Sequence, residues 1–250
     1  MWDDRYTPFS AFEDGECVAS ICVYPSVMRV DGKDKSGAQL LTVGTLPEYR
    51  GRGIQKQLWR RAHEWLRTES DFVFLFTDEE AVGFYERLGL KRQPEYTEII
   101  PGPHHRGPSQ RVRQLDPERD DDFALVEHLA REREVVSDRL GFLNPNLLLF
   151  MFLYEYGGWT FYLEDLDAVI VAEETARGVR IHDILARAIP SFREIGSFLS
   201  RFGKDVEFLF CTDRLDVGSA GKRRVDDSVL MVSEDFTLRG EFVFPYSMRA

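Results

Sequence analysis

The sequence predicts an α/β fold built from two strand–helix–strand units. Three observations carry this. Short apolar runs rich in β-branched residues alternate with helical stripes along most of the chain. One such run ends in a glycine-rich turn that opens a basic amphipathic helix. And "FLFTD" (Phe74 to Asp78) recurs as "FLFCTD" (Phe208 to Asp213), each copy following a helix that itself follows a strand.

The elements read as follows. "CVASICVYPSVMRV", Cys17 to Val30, is one strand or two, ahead of a turn in "DGKDKSG", 31–37. "AQLLTVGTL", Ala38 to Leu46, is the next strand, stopped by Pro47. From Gly53 the apolar positions Ile54, Leu58, Ala62, Trp65 and Leu66 recur at helical spacing. Arg60, Arg61 and His63 read as the solvated side of that helix, Trp59 and Trp65 as core or domain contacts. "DFVFLFTD", Asp71 to Asp78, has the continuous apolar pattern of a buried strand. "EEAVGFYERLGL" is a short helix with Gly89 as its C-cap. "PGPHHRGPSQ", 101–110, holds three prolines and two glycines and reads as a linker between residues 1–100 and 111–250. Beyond it come a short strand, an amphipathic helix with Phe123, Val126, Leu129 and Ala130 on its apolar side, a hairpin in "WTFYLEDLDAVIVAEE", a strand in "GVRIHDILARAI", a helix in "PSFREIGSFLSRF" with Pro190 at its first turn, and a strand in "VEFLFCTD".

Bulk properties narrow the function. At 250 residues the chain has room for one large domain or two ordinary ones. A formal net charge of −11 argues against nucleic acid as the main partner and is compatible with a cationic substrate. Three cysteines (Cys17, Cys22, Cys211) are too few for a disulfide framework and read as reduced, buried thiols of a cytoplasmic protein. The start "MWDDRYTPFS" is too polar for a signal peptide, and the longest apolar run, Leu147 to Tyr154, has about a third of the length of a membrane span. His104 and His105 have no second Cys/His pair at ligand spacing, so no metal is expected.

Against that acidic background, the stretch from Arg50 to Arg61 carries Arg50, Arg52, Lys56, Arg60 and Arg61 with no acid among them, beside Gly51 and Gly53. Glycines admit positive φ and close backbone approach to a ligand. A helix start offers unpaired N–H groups and the positive end of the macrodipole. Such a turn can wrap a pyrophosphate. It is neither the dinucleotide fingerprint, which needs a third glycine, nor a P-loop, which ends in Gly-Lys-Ser/Thr.

"VGTLPEYRGRGIQKQL" resembles the acyl-CoA signature of the GNAT superfamily of N-acetyltransferases, Gln/Arg-x-x-Gly-x-Gly/Ala after a strand. Arg50, Gly51, Arg52, Gly53, Ile54 and Gln55 meet it, with Gln55 standing where the pattern has Gly or Ala. Because main-chain N–H groups are the donors there, a side chain pointing away is tolerated. "AVGFYERLGLKR" resembles the family's second motif through Ala81, Phe84, Tyr85 and Gly89. The resemblance spans roughly Ala38 to Arg92.

It implies a mixed, mostly antiparallel sheet flanked by helices. Residues 1–100 would form an acetyl-CoA-binding unit without the family's usual opening strand and helices. Residues 111–250 would form a degenerate second unit that lacks the acyl-CoA motif and binds no CoA, its first forty residues either opening that unit or completing the first. The implied activity is transfer of acetyl from acetyl-CoA to an amine of a small, cationic acceptor or a peptide, with no metal, nucleic acid or membrane involved. A non-catalytic CoA-binding or interaction module is the alternative. Arg50 to Gln55 would hold the pyrophosphate, Val43, Gly44 and Thr45 would pair with the pantetheine arm, and Tyr85 would protonate the leaving thiolate. Asp78 stands where the family often has an Asn. No general base is identified, Glu79 and Glu80 being neighbours only. Acceptor and oligomeric state stay open.

Overall fold

The computed structural model describes residues 3–102, 109–203, 205–218 and 220–249. The first half runs β1 (Thr7–Glu13), β2 (Glu16–Val30), β3 (Lys33–Thr45), α1 (Ile54–Glu69), β4 (Phe72–Thr77), α2 (Val82–Arg87), β5 (Lys91–Gln93) and β6 (Tyr96–Ile100). The second runs β7 (Val112–Gln114), α3 (Asp120–Glu132), β8 (Leu140–Leu143), α4 (Pro145–Met151), β9 (Thr160–Leu163), β10 (Ala168–Glu174), β11 (Gly178–Ala186), α5 (Phe192–Leu199), β12 (Asp205–Phe208), β13 (Gly221–Arg224) and β14 (Val229–Val232). Among the described residues no helix is long and apolar enough to cross a membrane.

Two seven-stranded sheets result. The first has the order β1-β2-β3-β4-β14-β5, with β8 paired to β2; the second has the order β13-β6-β12-β11-β10-β9-β7. Each contains one parallel pair, β3 with β4 and β11 with β12, and all other pairs are antiparallel. Parallel neighbours need a crossover, and α1 and α5 supply it. The repeat read in "FLFTD" and "FLFCTD" therefore marks equivalent places: β4 and β12 are the parallel partners in the two sheets.

The sheets do not divide where the linker does. β6 precedes residue 101 yet lies in the second sheet, between β12 and β13, while β8 and β14 follow residue 110 yet lie in the first. β14 fills the place between β4 and β5. The first half thus lends one strand, β6, to the second sheet and the second half lends two, β8 and β14, to the first; β14 and β6 close the free edges of β4 and β12 in that exchange. Within the linker, 103–108 lie outside the described residues, His104 and His105 among them.

Three local readings change. β1 exists although no apolar run marks it; Phe9 and Ala11 alone turn toward the core. The turn after Val30 is confined to Asp31 and Gly32, both at positive φ (45° and 74°), a two-residue hairpin turn from which β3 starts at once. And Cys17 is exposed, because it sits in the β1–β2 hairpin at the sheet edge, whereas Cys22 and Cys211 are buried.

Helices α1 and α2 cover one face of the first sheet, where Leu58, Trp59 and Leu66 pack on Ile21, Val23, Leu40 and Met231. Trp65 is half-buried against Phe9, their ring centroids 6.0 Å apart. The other face buries Met28, Phe72 and Phe74 against Phe142, Phe236, Phe242 and Phe244. In the second sheet α5 covers one face, with Ile195 and Phe198 on Ile181 and Phe208. α3 and α4 cover the other, with Leu129 and Leu148 on Val171 and Leu185.

Candidate functional site

The site begins where the first sheet splits. β3 and β4 pair only at Gly37–Gln39 with Phe72–Phe74. Beyond that, β3 continues to Thr45 and β4 to Thr77 with no ladder between them. The cause lies in β3. Opposite the step from Ser20 to Cys22 in β2, β3 moves from Gly44 to Leu41, one residue more than a regular ladder allows. Thr42 takes up the excess at φ 45°, a conformation that costs a β-branched residue energy. Two hydrogen bonds hold it: Ser20 Oγ donates to the Thr42 carbonyl at 2.9 Å, and the Tyr6 hydroxyl meets Thr42 Oγ1 at 3.0 Å. In a regular strand Leu41 and Val43 would share a face. Here Leu41 packs with the Tyr24 and Met28 cluster, and Val43 with the Leu58 and Tyr85 cluster on the other side.

After β3, Pro47–Tyr49 form a single 3₁₀ turn, and Gly51 (φ 76°) and Gly53 (φ 74°) lead into α1. Helix α1 has no side-chain cap and no acid in its first turn. Its N–H groups and the positive end of its dipole stay available to an anion. The Gln55 side chain turns away from that end. Its Nε2 donates to the Ser20 carbonyl (3.1 Å), to Thr45 Oγ1 (3.0 Å) and to the Gly44 carbonyl, which ties α1 to the split strand. Arg50 Nε donates to the Thr45 carbonyl at 3.2 Å.

Helix α2 forms the opposite wall. Asp78 Oδ1 accepts from the Ala81 N–H at 2.8 Å at its start. Its end is a Schellman turn: Leu90 N donates to the Tyr85 carbonyl (3.1 Å), Gly89 N to the Glu86 carbonyl (3.0 Å), with Gly89 at φ 91°. Tyr85 is buried to 8% exposure, its ring 5.0 Å from that of Phe84. Its hydroxyl has no hydrogen-bond partner among the described residues. Burial first, and the Asp78 charge second, push its pKa above the ordinary phenol value.

Between these walls lies a cleft of about 960 Å³. Val43, Gly44, Thr45, Arg50, Gly51, Gly53, Ile54 and Gln55 line it from the β3–α1 side, and Phe84 and Tyr85 from α2. Asp78 and Gly89 lie outside it, and of the residues assigned from the sequence to CoA binding or proton donation all line the cleft except Arg52. That guanidinium is turned onto the Glu48 carbonyl (3.0 Å), Glu13 (3.9 Å) and the Tyr49 ring (4.7 Å). Tyr49 and Lys56 also line the cleft; Lys56 belongs to the basic run, but nothing in the sequence marks Tyr49. Glu79 and Glu80 are exposed and outside it, Glu79 being paired with Arg92. Among the described residues no three His, Cys, Asp or Glu side chains are grouped to hold a metal.

The equivalent place in the second sheet is built differently. β11 and β12 pair over Gly178–Ile181 and Asp205–Phe208, and α5 carries a full capping box. Ser191 N donates to Glu194 Oε2 at 2.8 Å, and Glu194 N to Ser191 Oγ at 3.3 Å. A carboxylate of the chain itself sits where α1 leaves an open anion site.

Residues 5–92 match the family model of the acetyltransferase (GNAT) domain. Among curated proteins nothing matches the chain. Among solved structures it is similar to a GCN5-related N-acetyltransferase from Kribbella flavida (17% identity, TM-score 0.58, 89% of this chain and 58% of that one). It is similar too to a conserved protein of unknown function from Enterococcus faecalis (13%, 0.61, 91% and 62%) and to a GCN5-related N-acetyltransferase from Anabaena variabilis (15%, 0.54, 89% and 61%). The chain therefore spans about three-fifths of the length of these structures and, at such identities, shares their fold. The domain match at residues 5–92 contains the split sheet, the glycine turn and the Tyr85 helix, so this stretch of the chain is similar to the acetyltransferase (GNAT) domain.

Proposed function

We propose that the chain is an acetyl-CoA-dependent N-acetyltransferase whose acceptor is a primary amine, cationic at neutral pH. One observation carries this reading: a single cleft joins the uncapped start of α1, the edge of β3 that β4 leaves unpaired beyond Gln39, and the buried Tyr85. The turn from Arg50 to Gln55 suits the CoA pyrophosphate, which its backbone N–H groups and the Arg50 charge would hold. The side of Val43, Gly44 and Thr45 that pairs with no strand suits the amide-bearing pantetheine arm, which would extend the sheet as a strand does, while the Gly44 and Thr45 carbonyls stay bonded to Gln55 and Arg50. A main-chain N–H of that edge would stabilise the oxyanion at the thioester.

In the reaction the acceptor ammonium first gives one proton to solvent, and the neutral nitrogen then attacks the thioester carbon. The C–N bond forms, the C–S bond breaks, the thiolate takes the Tyr85 proton, and the proton lost by nitrogen restores Tyr85 through solvent. A phenol whose pKa is raised by burial stays protonated at neutral pH, as an acid must. The second unit, with Glu194 on its helix start, takes no CoA in this reading.

Thermal unfolding with and without acetyl-CoA tests the proposal. A ligand that binds only the folded chain raises Tm, by about 2.7 kcal/mol of stability at a hundredfold excess over Kd. No rise at millimolar acetyl-CoA would defeat it.

A further inference from the structure

The outer face of α1 is basic in a chain of net charge −11. Lys56, Arg60, His63 and Arg67 follow one another at spacings of four, three and four, so they form one row along the helix, about 16 Å from end to end. All four are exposed, and none makes an ion pair among the described residues. Glu64 is the only acid of the helix before Glu69. The row runs along the side of α1 that meets α2: Trp59 Nε1 donates to the Leu88 carbonyl at 3.0 Å, and the Trp59 ring lies 5.2 Å from that of His63. It is continuous with the cleft, which Lys56 lines together with Arg87 of α2, also without an ion pair among the described residues.

Helix stability does not explain such a row. Like charges four apart repel on a helix, and a cation in the first turn opposes the dipole. α3 shows an ordinary solvated face of this chain, with acids in its first turn and an Arg131–Glu127 pair at 2.8 Å. α5 occupies the equivalent crossover place in the second sheet. It carries a single cation, Arg193, and its start is already capped by Glu194. The basic row therefore goes with the open cleft and not with the fold.

We propose that this row is the docking surface for an acidic carrier protein, one that holds its acyl group on a phosphopantetheine arm, with the arm in the cleft and the protein body over α1. The inference rests on the reading that the cleft takes a pantetheine arm. CoA and a carrier protein share that arm and the phosphate at its root, which the turn from Arg50 to Gln55 suits. They differ beyond that phosphate. Free CoA brings a nucleotide, whose ribose phosphate serves the cations nearest the turn. A carrier brings a folded acidic surface, which serves the whole row as far as Arg67. Attraction between two such surfaces reaches across a Debye length, about 10 Å at 0.1 M salt, and steers the arm toward the cleft.

The test measures binding to the full chain, with no acceptor present. The probes are an acidic acyl carrier protein in its holo form, with the arm on its serine, the same protein in its apo form, and phosphatidylglycerol vesicles. By calorimetry at about 50 mM salt the holo carrier should bind, the apo carrier several-fold more weakly, and the vesicles not at all. Excess CoA should reduce holo binding to the apo level. Arg60→Glu combined with Arg67→Glu should weaken holo binding about tenfold or more, and Arg60→Gln with Arg67→Gln several-fold. Both variants should keep the acetyl-CoA rise in Tm, because neither residue lines the cleft. A holo carrier that does not bind would overturn the inference. So would equal binding of the apo and holo forms, binding that both variants leave unchanged, or a preference for the vesicles. Holo binding through the row without any acetyl-CoA shift would uphold the docking surface and remove free acetyl-CoA as the donor instead.

Discussion

Tyr85 owes its position to hydrogen bonds at both ends of a six-residue helix, the Asp78 carboxylate accepting from the Ala81 N–H before it and the Schellman turn at Gly89 after it. Since its hydroxyl bonds nothing among the described residues, Tyr85→Phe should cost little stability. If Tyr85 is the proton donor proposed above, the same variant should lower kcat by about one to three orders of magnitude while acetyl-CoA still shifts Tm; steady-state kinetics beside a melting curve checks both. Equal rates would make the ring mere packing. The pH dependence has a definite sign. Burial and the Asp78 charge both favour the neutral phenol, so the alkaline limb due to this group moves above the ordinary tyrosine range. kcat should hold to at least about pH 9 before that limb begins. Tyr85 was legible because its motif is local. Thr42 was not. A β-branched residue is the last one expected at positive φ, and what holds it there, Ser20 and Tyr6, lies 22 and 36 residues away in the chain.

The two crossover helices differ at their first turns. α1 opens after Gly53 with no cap, and α5 opens with the Ser191–Glu194 box. A Cβ at Gly53 would meet nothing within 4 Å, so Gly53→Asp is limited only by its φ of 74°, which Asp tolerates better than most residues. That variant places a carboxylate where the phosphate would bind. It should fold and lose the acetyl-CoA shift. Ser191→Ala should do the reverse: a loss of about 1 kcal/mol in stability, and an unchanged shift. Differential scanning fluorimetry of both proteins decides. Elements whose signals are local were readable in advance: the stripe from Ile54 to Leu66, Gly89 as a helix stop, the strand around Phe74. β1 was not, because an edge strand with one half-buried face needs few apolar residues, and Phe12 there is 67% exposed. The early start of β3 was hidden by "KDK", whose lysines and aspartate are tolerated at the solvent-exposed start of a hairpin strand.

At the scale of the molecule, the exchange of strands decides how the halves depend on each other. No periodicity could reveal it, since "VLMV" at Val229–Val232 reads as a buried strand in either sheet and only tertiary pairing selects one. All four of its residues are buried, Val229 and Met231 on the α1 side, Leu230 and Val232 on the other. Their burial is worth roughly 6–12 kcal/mol by transfer energies, the same order as the whole stability of a domain. A fragment of residues 1–108 would lose them, along with the ladders from β14 to β4 and β5, and β5 would have no strand to pair with. It would also expose Phe72 and Phe74, whose partners Phe236, Phe242 and Phe244 come from the far end of the chain. The reciprocal loss of β6 would open the second sheet between β12 and β13. The full chain should therefore unfold in one cooperative transition, identical by circular dichroism and by tryptophan fluorescence. Residues 1–108 expressed alone should be insoluble or lack a sigmoidal melt. A soluble fragment 1–108 that melts cooperatively and releases thiol from acetyl-CoA at the rate of the full chain would show that the exchanged strand is dispensable and that the first unit stands by itself.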